Sequence, residues 1–182
     1  MPAGQQIGTI NAMRRDPDGC WTADMFDGTG LVRALEQLDA APRNRRVLLA
    51  GAGGVGRAIA IAVARAGAKA LTLFDLDQDK AGRLAADVRR FYPDCAVTTP
   101  DTVDAHGSDI IVNATPVGMA PNDGLPVPLK LQPGMVVFDV VTKPPTTPLL
   151  AEAARVGCRF AGGRLMVDCQ ADALLEFFGF GS

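Results

Sequence analysis

The feature that most constrains this chain is a short apolar run that ends in a glycine-rich turn. Val47-Leu48-Leu49-Ala50 leads at once into Gly51-Ala52-Gly53-Gly54-Val55-Gly56, and small aliphatic residues continue through Ala66. A continuous apolar run of this length suits a strand covered on both faces, as in a parallel sheet. The stretch from Gly54 to Ala66, with Ala58, Ala60 and Ala62 along it, predicts a helix. In such a strand–turn–helix unit the first glycine permits the tight turn and the second lets backbone N–H groups approach a pyrophosphate. The third lets the helix pack close on the sheet, and the helix N-terminus adds positive potential. Gly51, Gly53 and Gly56 stand in those places, with Ala52, Gly54 and Val55 completing the turn.

Three further apolar runs, Leu71 to Phe74, Asp109 to Asn113 and Met135 to Phe138, have the same continuous character. Helical stretches are predicted between and after them: 79–90, a short one after Thr102, and one from Pro148 to about Arg155 that Gly157 stops. Strand alternating with helix implies an α/β chain with a Rossmann-type, doubly wound parallel sheet over residues 43–165.

The ends depart from that pattern. Residues 7–13 read as one strand without a sequence-local partner, followed by a turn at Asp16-Pro17-Asp18-Gly19. Residues 27–38 read as a helix with Leu31, Val32, Leu35 and Leu38 on one face, and Asp27 suits its N-cap. Residues 168–178 form a last amphipathic helix. Residues 1–42 are therefore expected to be a remnant of an N-terminal substrate domain with its connecting helix, and 166–182 a helix returning toward it. Apolar faces left bare at both ends predict self-association, a homodimer in the simplest case.

Composition narrows the function classes. The 182 residues carry a formal net charge of -2 with 21% charged residues, which gives no electrostatic footprint for nucleic acid or anionic membrane. The first ten residues lack the basic and apolar regions of a signal peptide, and no run approaches the roughly 18 apolar residues of a membrane span. The default address is the cytoplasm. Cys20, Cys95, Cys158 and Cys169 form no CxxC pair and His106 is the single histidine, so no metal site is expected and reduced thiols are.

Beyond the glycine turn, the second apolar run ends in Phe74-Asp75-Leu76-Asp77. A carboxylate at that place accepts both ribose hydroxyls of an adenosine and repels a 2′-phosphate. Asp75 therefore favours NAD over NADP; capping the following helix is its alternative use. Asn113 and Thr115 fall at the carboxyl end of their strand, where ligands sit in open α/β sheets.

Several motifs then line up in order: Gly8-Thr9-Ile10-Asn11, Asp27-Gly28-Thr29-Gly30, Gly51-Ala52-Gly53-Gly54 and Asn113-Ala114-Thr115-Pro116-Val117-Gly118-Met119. Asp139-Val140-Val141, Thr147-Pro148-Leu149-Leu150, and Gly163 with Met166-Val167 and Gln170 complete the set. Together they resemble the shikimate dehydrogenase family, which includes the quinate/shikimate dehydrogenases, over about residues 7 to 179. The resemblance implies reversible hydride transfer between a nicotinamide cofactor and a shikimate- or quinate-like hydroxy acid. It assigns Asn11, Asp27 and Gln170 to the substrate, and Gly163, Val140 and Met166 to the nicotinamide pocket; core packing is the alternative for Met166.

Three departures from the family pattern matter. Its Asn-Thr-Asp motif is Met25-Phe26-Asp27 here, and the usual tyrosine after the strand at 135–138 is Thr142, which keeps a hydroxyl for substrate. The family's catalytic lysine lies upstream of the position of Gly8. Lys69, Lys80, Lys130 and Lys143 do not match it. Asp27 is thus the catalytic candidate in this chain, and little turnover is expected from the chain alone. A non-catalytic dinucleotide-binding module is the alternative reading.

Overall fold

Four-residue apolar runs are too short to bury their own backbone, so they must pair with one another. The computed structural model, which describes residues 8–180, shows how they do so. Strands β3 (Arg46–Ala50), β4 (Ala70–Phe74), β5 (Ala96–Thr98), β6 (Ile110–Asn113), β7 (Val136–Asp139) and β8 (Arg159–Gly162) form one six-stranded sheet. Its order is β5-β4-β3-β6-β7-β8, and every pairing is parallel. The chain leaves β3 toward one edge and returns to β6 on its other side. The carboxyl ends of β3 and β6 therefore flank the point where a doubly wound sheet opens a crevice.

Alternation along the strands sends side chains to two faces. Val47, Leu49, Leu71, Leu73, Ile110, Val112, Val136 and Phe138 share a core with α1 (Asp27–Gln37), α2 (Gly54–Arg65), α3 (Gln78–Phe91) and α5 (Gly163–Phe177). On the opposite face Leu48, Ala50, Ile111 and Val137 pack against α4 (Pro148–Val156) and a long loop bearing Val103, Ala105, Val127, Leu129 and Leu131. The helix expected after Thr102 does not form. Residues 101–108 are bends and turns that bury Val103 and Ala105, with Gly107 at a positive φ of 77°.

The helix boundaries have local causes. Asp77 caps α3 by accepting the Lys80 N–H, and Thr147 caps α4 by accepting the Leu150 N–H, with Pro148 in the first turn. Gly157 then ends α4 in the left-handed region. Two expectations are corrected here. The α1 N-cap is Phe26, without a side-chain cap bond, and Asp27 is the first helical residue. The last helix begins at Gly163, five residues before the expected Asp168, directly out of β8.

The strand expected over 7–13 is also revised. Ile7 lies outside the described residues, and 8–11 are not strand. β1 (Ala12–Arg15) instead pairs antiparallel with β2 (Trp21–Asp24), in register Ala12 to Asp24 and Arg15 to Trp21. The partner is local after all, because the turn at 16–19 folds the chain back: Gly19 N–H donates to the Asp16 carbonyl. Arg14 fastens this hairpin to α5 by donating to the Phe177 carbonyl and lying over the Phe177 ring. Phe177 in turn meets Phe26 edge-on, with ring centroids 5.3 Å apart. All four cysteines are free; Cys20 is exposed and the other three are buried.

Candidate functional site

The glycine turn lies where the sheet opens. Gly51 ends β3 with φ 102°, and a Cβ there would come within 2.7 Å of the Ala114 carbonyl at the end of β6. A Cβ on Gly56 would overlap the Gly51 carbonyl oxygen. Both glycines are thus demanded by the protein itself. Gly53 is different: a Cβ built on it meets no atom within 4 Å. It is exposed, and it precedes α2 without any side-chain cap. An uncapped helix start, with N–H donors and open space before it, is what a phosphate needs. The residues present therefore fit the pyrophosphate of a dinucleotide.

Asp75 closes the turn from β4. Its Oδ2 accepts the Ala52 N–H at 2.7 Å and its Oδ1 accepts the Asp77 N–H at 2.9 Å. The capping role is taken by Asp77, so Asp75 is held beside the glycine turn. Leu76, between the two aspartates in sequence, is 93% exposed. Lys80 pairs with Asp77, Nζ to Oδ2, at 3.5 Å.

On the other side of the crevice Asn11 and Asp27 are brought together. Asn11 Nδ2 donates to Asp27 Oδ1 at 2.8 Å, and Asn11 Oδ1 accepts the Phe26 N–H at 3.0 Å. The hairpin segment and the start of α1 are thereby stitched into one element. Burial pushes the Asp27 carboxyl above the ordinary carboxylate range, against the opposing pull of the Asn11 bond. Such a group contributes most to folding below its ordinary value, and that contribution is lost as pH rises through the raised value. Asp27→Asn keeps an acceptor for Asn11 but removes the charge. It is expected to raise the melting temperature near about pH 7, with the gain vanishing toward about pH 3, as thermal melts across that range would show.

Glycines also set how α1 meets its neighbours. A Cβ on Gly28 would lie 2.5 Å from the Ala58 carbonyl oxygen of α2, and one on Gly30 would lie 2.6 Å from the Met166 carbonyl oxygen of α5. The motif Asp27-Gly28-Thr29-Gly30 is thus a wedge between two helices with a carboxylate at its tip. Gln170, one turn beyond Met166, is buried, and its Oε1 has no hydrogen-bond partner among the described residues. A buried acceptor left open is where a ligand hydroxyl or water would donate. Met166 itself is buried in the core against Gly30.

Asn113 and Thr115, expected to face a ligand from the carboxyl end of their strand, belong to a buried network with Asp139 that organises the far wall. Asn113 and Asp139 are register partners on β6 and β7, and both are fully buried. Asp139 accepts from Asn113 Nδ2 at 3.0 Å, from Val141 N–H at 3.1 Å and from Thr147 Oγ1 at 2.6 Å. Burial raises its pKa despite these three donors. Asn113 also donates to the Val117 carbonyl and accepts from the Thr115 N–H and hydroxyl. The Asn113 amide is spent within the protein and acts by shaping the loop that carries Thr115. The signal that would have found Asp139 is an acidic residue closing a wholly apolar strand. After β7 the chain turns back on itself: a Cβ on Gly163 would overlap the Val140 carbonyl oxygen. Thr142, in the same segment, is exposed.

Comparison with known proteins decides the family. No family model matches the chain. Over 184 residues it is 36% identical to the shikimate dehydrogenase (NADP(+)) of Pseudarthrobacter chlorophenolicus, covering 98% of this chain and 62% of that protein. The chain belongs to the shikimate dehydrogenase family. It spans somewhat less than two thirds of the length of that relative. Among solved structures, shikimate 5-dehydrogenase from Listeria monocytogenes, in complex with shikimate and NAD, superposes with a TM-score of 0.86 at 31% identity. That match covers 98% of this chain and 66% of the Listeria chain. The ligand-free 5-ketofructose reductase of Gluconobacter gives 0.87 at 30% identity, covering 97% of this chain and 65% of its own. The shikimate dehydrogenase fold thus accounts for the sheet, the glycine turn and the wedge of α1 together. No helix among the described residues is long and apolar enough to cross a membrane.

Proposed function

We propose that this chain supplies the dinucleotide-binding part, and one side of the substrate pocket, of an oxidoreductase acting on a shikimate- or quinate-like polyol acid. The observation that carries the reading is the juxtaposition of an uncapped, open glycine turn with the paired Asn11 and Asp27. Its relatives support the substrate class: the Listeria structure holds shikimate and NAD. When bound, the nicotinamide supplies the hydride donor or acceptor. Gly53 and Gly54 would seat the pyrophosphate, and Val140 and Gly163 would back the nicotinamide. Asn11 and Gln170 would orient ring hydroxyls, with Thr142 at the pocket margin.

Asp27 would share a proton with the reacting hydroxyl. Its raised affinity for a proton suits that work, because a carboxyl poised nearer neutrality can both take and return one. The family pairs this aspartate with a lysine, and no lysine in the described residues hydrogen-bonds Asp27: Lys80 is engaged by Asp77, and the Asp27 carboxylate meets Asn11. Turnover by the 182-residue chain alone should therefore fall about 100- to 10,000-fold below that of a form in which a lysine faces Asp27. Residues 1–42 and 166–182 would then border the substrate, and 43–165 the nucleotide.

Asp75 and Asp77 set the cofactor choice in this proposal. A 2′-phosphate would meet two carboxylates, whereas ribose hydroxyls would meet acceptors. Calorimetric titration should show NAD⁺ binding at least about tenfold tighter than NADP⁺, with Asp75→Asn narrowing the gap to about threefold. Equal affinities in the native chain would refute the charge argument. Failure to bind NAD⁺, NADH and NADP⁺ alike would overturn the functional reading.

A further inference from the structure

The three groups that meet the buried Asp139 carboxylate are all obliged to donate. Val141 offers a main-chain N–H. Thr147 Oγ1 already accepts the Leu150 N–H, so its single hydrogen goes to Asp139 Oδ2. Asn113 turns its amide oxygen to Thr115, so its NH2 group serves Val117 and Asp139. A carboxylate has acceptors on both oxygens and suits all three donors, which an amide of the same shape cannot do.

These donors come from the two ends of one loop and from the strand beside it. Val141 and Thr147 are buried and flank residues 142–146, which are exposed. Gly118, in the turn that Asn113 shapes, is seated against the far end of that loop. A Cβ on it would lie 3.2 Å from the Thr147 Cβ and 3.8 Å from Asp139 Oδ2. At the near end, the Val141 carbonyl accepts the Gly163 N–H at 3.2 Å. Val140, half-buried, stands between Asp139 and Val141 in the chain. The two residues that would back the nicotinamide, Val140 and Gly163, are thus both tied to Asp139 through Val141. A buried polar network satisfied in this way rigidifies what it joins.

We infer that Asp139 is a positioning residue for the nicotinamide end of the cofactor, acting through the wall of Val140 and Gly163 rather than on the ring. The inference rests on the dinucleotide reading above and divides the cofactor in two. The pyrophosphate end belongs to the glycine turn after β3, and β3 lies two strands from β7, about 10 Å at ordinary strand spacing. The nicotinamide end depends on the Asp139 network.

Asp139→Asn keeps the size of the side chain and turns an N–H toward at least one of the three donors. Titration of the 182-residue chain with NAD⁺ and with ADP-ribose, which lacks nicotinamide, separates the two ends of the cofactor. The native chain should bind NAD⁺ at least about tenfold tighter than ADP-ribose. In Asp139→Asn that gap should close to about twofold, with ADP-ribose itself within about twofold of its native affinity. Thr147→Val removes one donor and the cap of α4 while keeping the shape, and it should narrow the gap in the same direction. Thr147→Ser keeps the hydroxyl and should preserve the native gap. If thermal melts show that Asp139→Asn does not fold, the two Thr147 variants carry the test. A purely structural network would lower the melting temperature and leave the ratio of the two affinities as in the native chain. That result in the folded variants would overturn the inference, and so would an equal loss of both ligands. A native chain that binds NAD⁺ no tighter than ADP-ribose would overturn it too. A native chain that binds neither ligand would overturn the dinucleotide reading as well, and that failure is visible before any variant is made.

Discussion

Gly53→Val is expected to abolish dinucleotide binding while leaving the fold intact. The added side chain meets no protein atom within 4 Å of its Cβ, and the backbone at φ -70°, ψ -170° is extended, a conformation valine adopts freely. Removing a glycine also reduces the entropy of the unfolded chain, so stability should hold or rise by up to about 1 kcal/mol. The isopropyl group would nonetheless occupy the space before α2 that a phosphate must enter. NAD⁺ affinity should fall more than about 100-fold, equivalent to about 2.7 kcal/mol. Calorimetry paired with a thermal melt checks both halves. Native-like NAD⁺ binding by the variant would mean that nucleotide does not rest on this turn.

Gly163→Ala should do the opposite, leaving the surface almost unchanged and undermining the fold. The new methyl group would overlap the Val140 carbonyl oxygen and lie 2.6 Å from the Val140 carbonyl carbon and 3.0 Å from that of Val141. These are main-chain atoms at the end of β7, so no flexible side chain can yield. Gly163 N–H also donates to the Val141 carbonyl at 3.2 Å, and that bond must break for α5 to retreat. Overpacking against rigid backbone costs about 3 kcal/mol or more. For a domain of this size the melting temperature should drop by about 6–12 °C. A variant melting within about 2 °C of the native chain would show that the end of β7 and α5 can separate cheaply.

The readable parts of this molecule were those with strong local periodicity. Runs such as Val47–Ala50 and Ile110–Val112 are wholly apolar because both faces are covered, and they announced the sheet. Strands β5 and β8 did not, because Ala96–Thr98 is three residues long with Val97 alone buried, and the sequence Arg-Phe-Ala-Gly carries no such run. The hairpin partner Trp21–Asp24 escaped for the same reason: its side chains are exposed or half-buried and show no clean alternation. The segment after Thr102 has the composition of a short helix, but burial of Val103 and Ala105 beneath the sheet decided its course. Of the candidate site, the pairing of Asn11 with Asp27 and the place of Asp75 were foreshadowed by motifs. The role of Asp139 was not, since three donors drawn from positions 113, 141 and 147 converge only in space.

The tight seating of α1 has a mechanical consequence. With carbonyl oxygens of α2 and α5 closing on Gly28 and Gly30, no methyl-sized gap remains for α1 to rock or slide. Asp27, at the tip of that helix, and Asn11, bonded to it, are carried on the same slab as the glycine turn. Any hinge that opens or shuts against a neighbouring unit leaves the separation between Asp27 and the glycine turn unchanged. What such a hinge can vary is only the wall that faces Asp27 from across the cleft, so on the function proposed above half of the grip would be set before a ligand arrives.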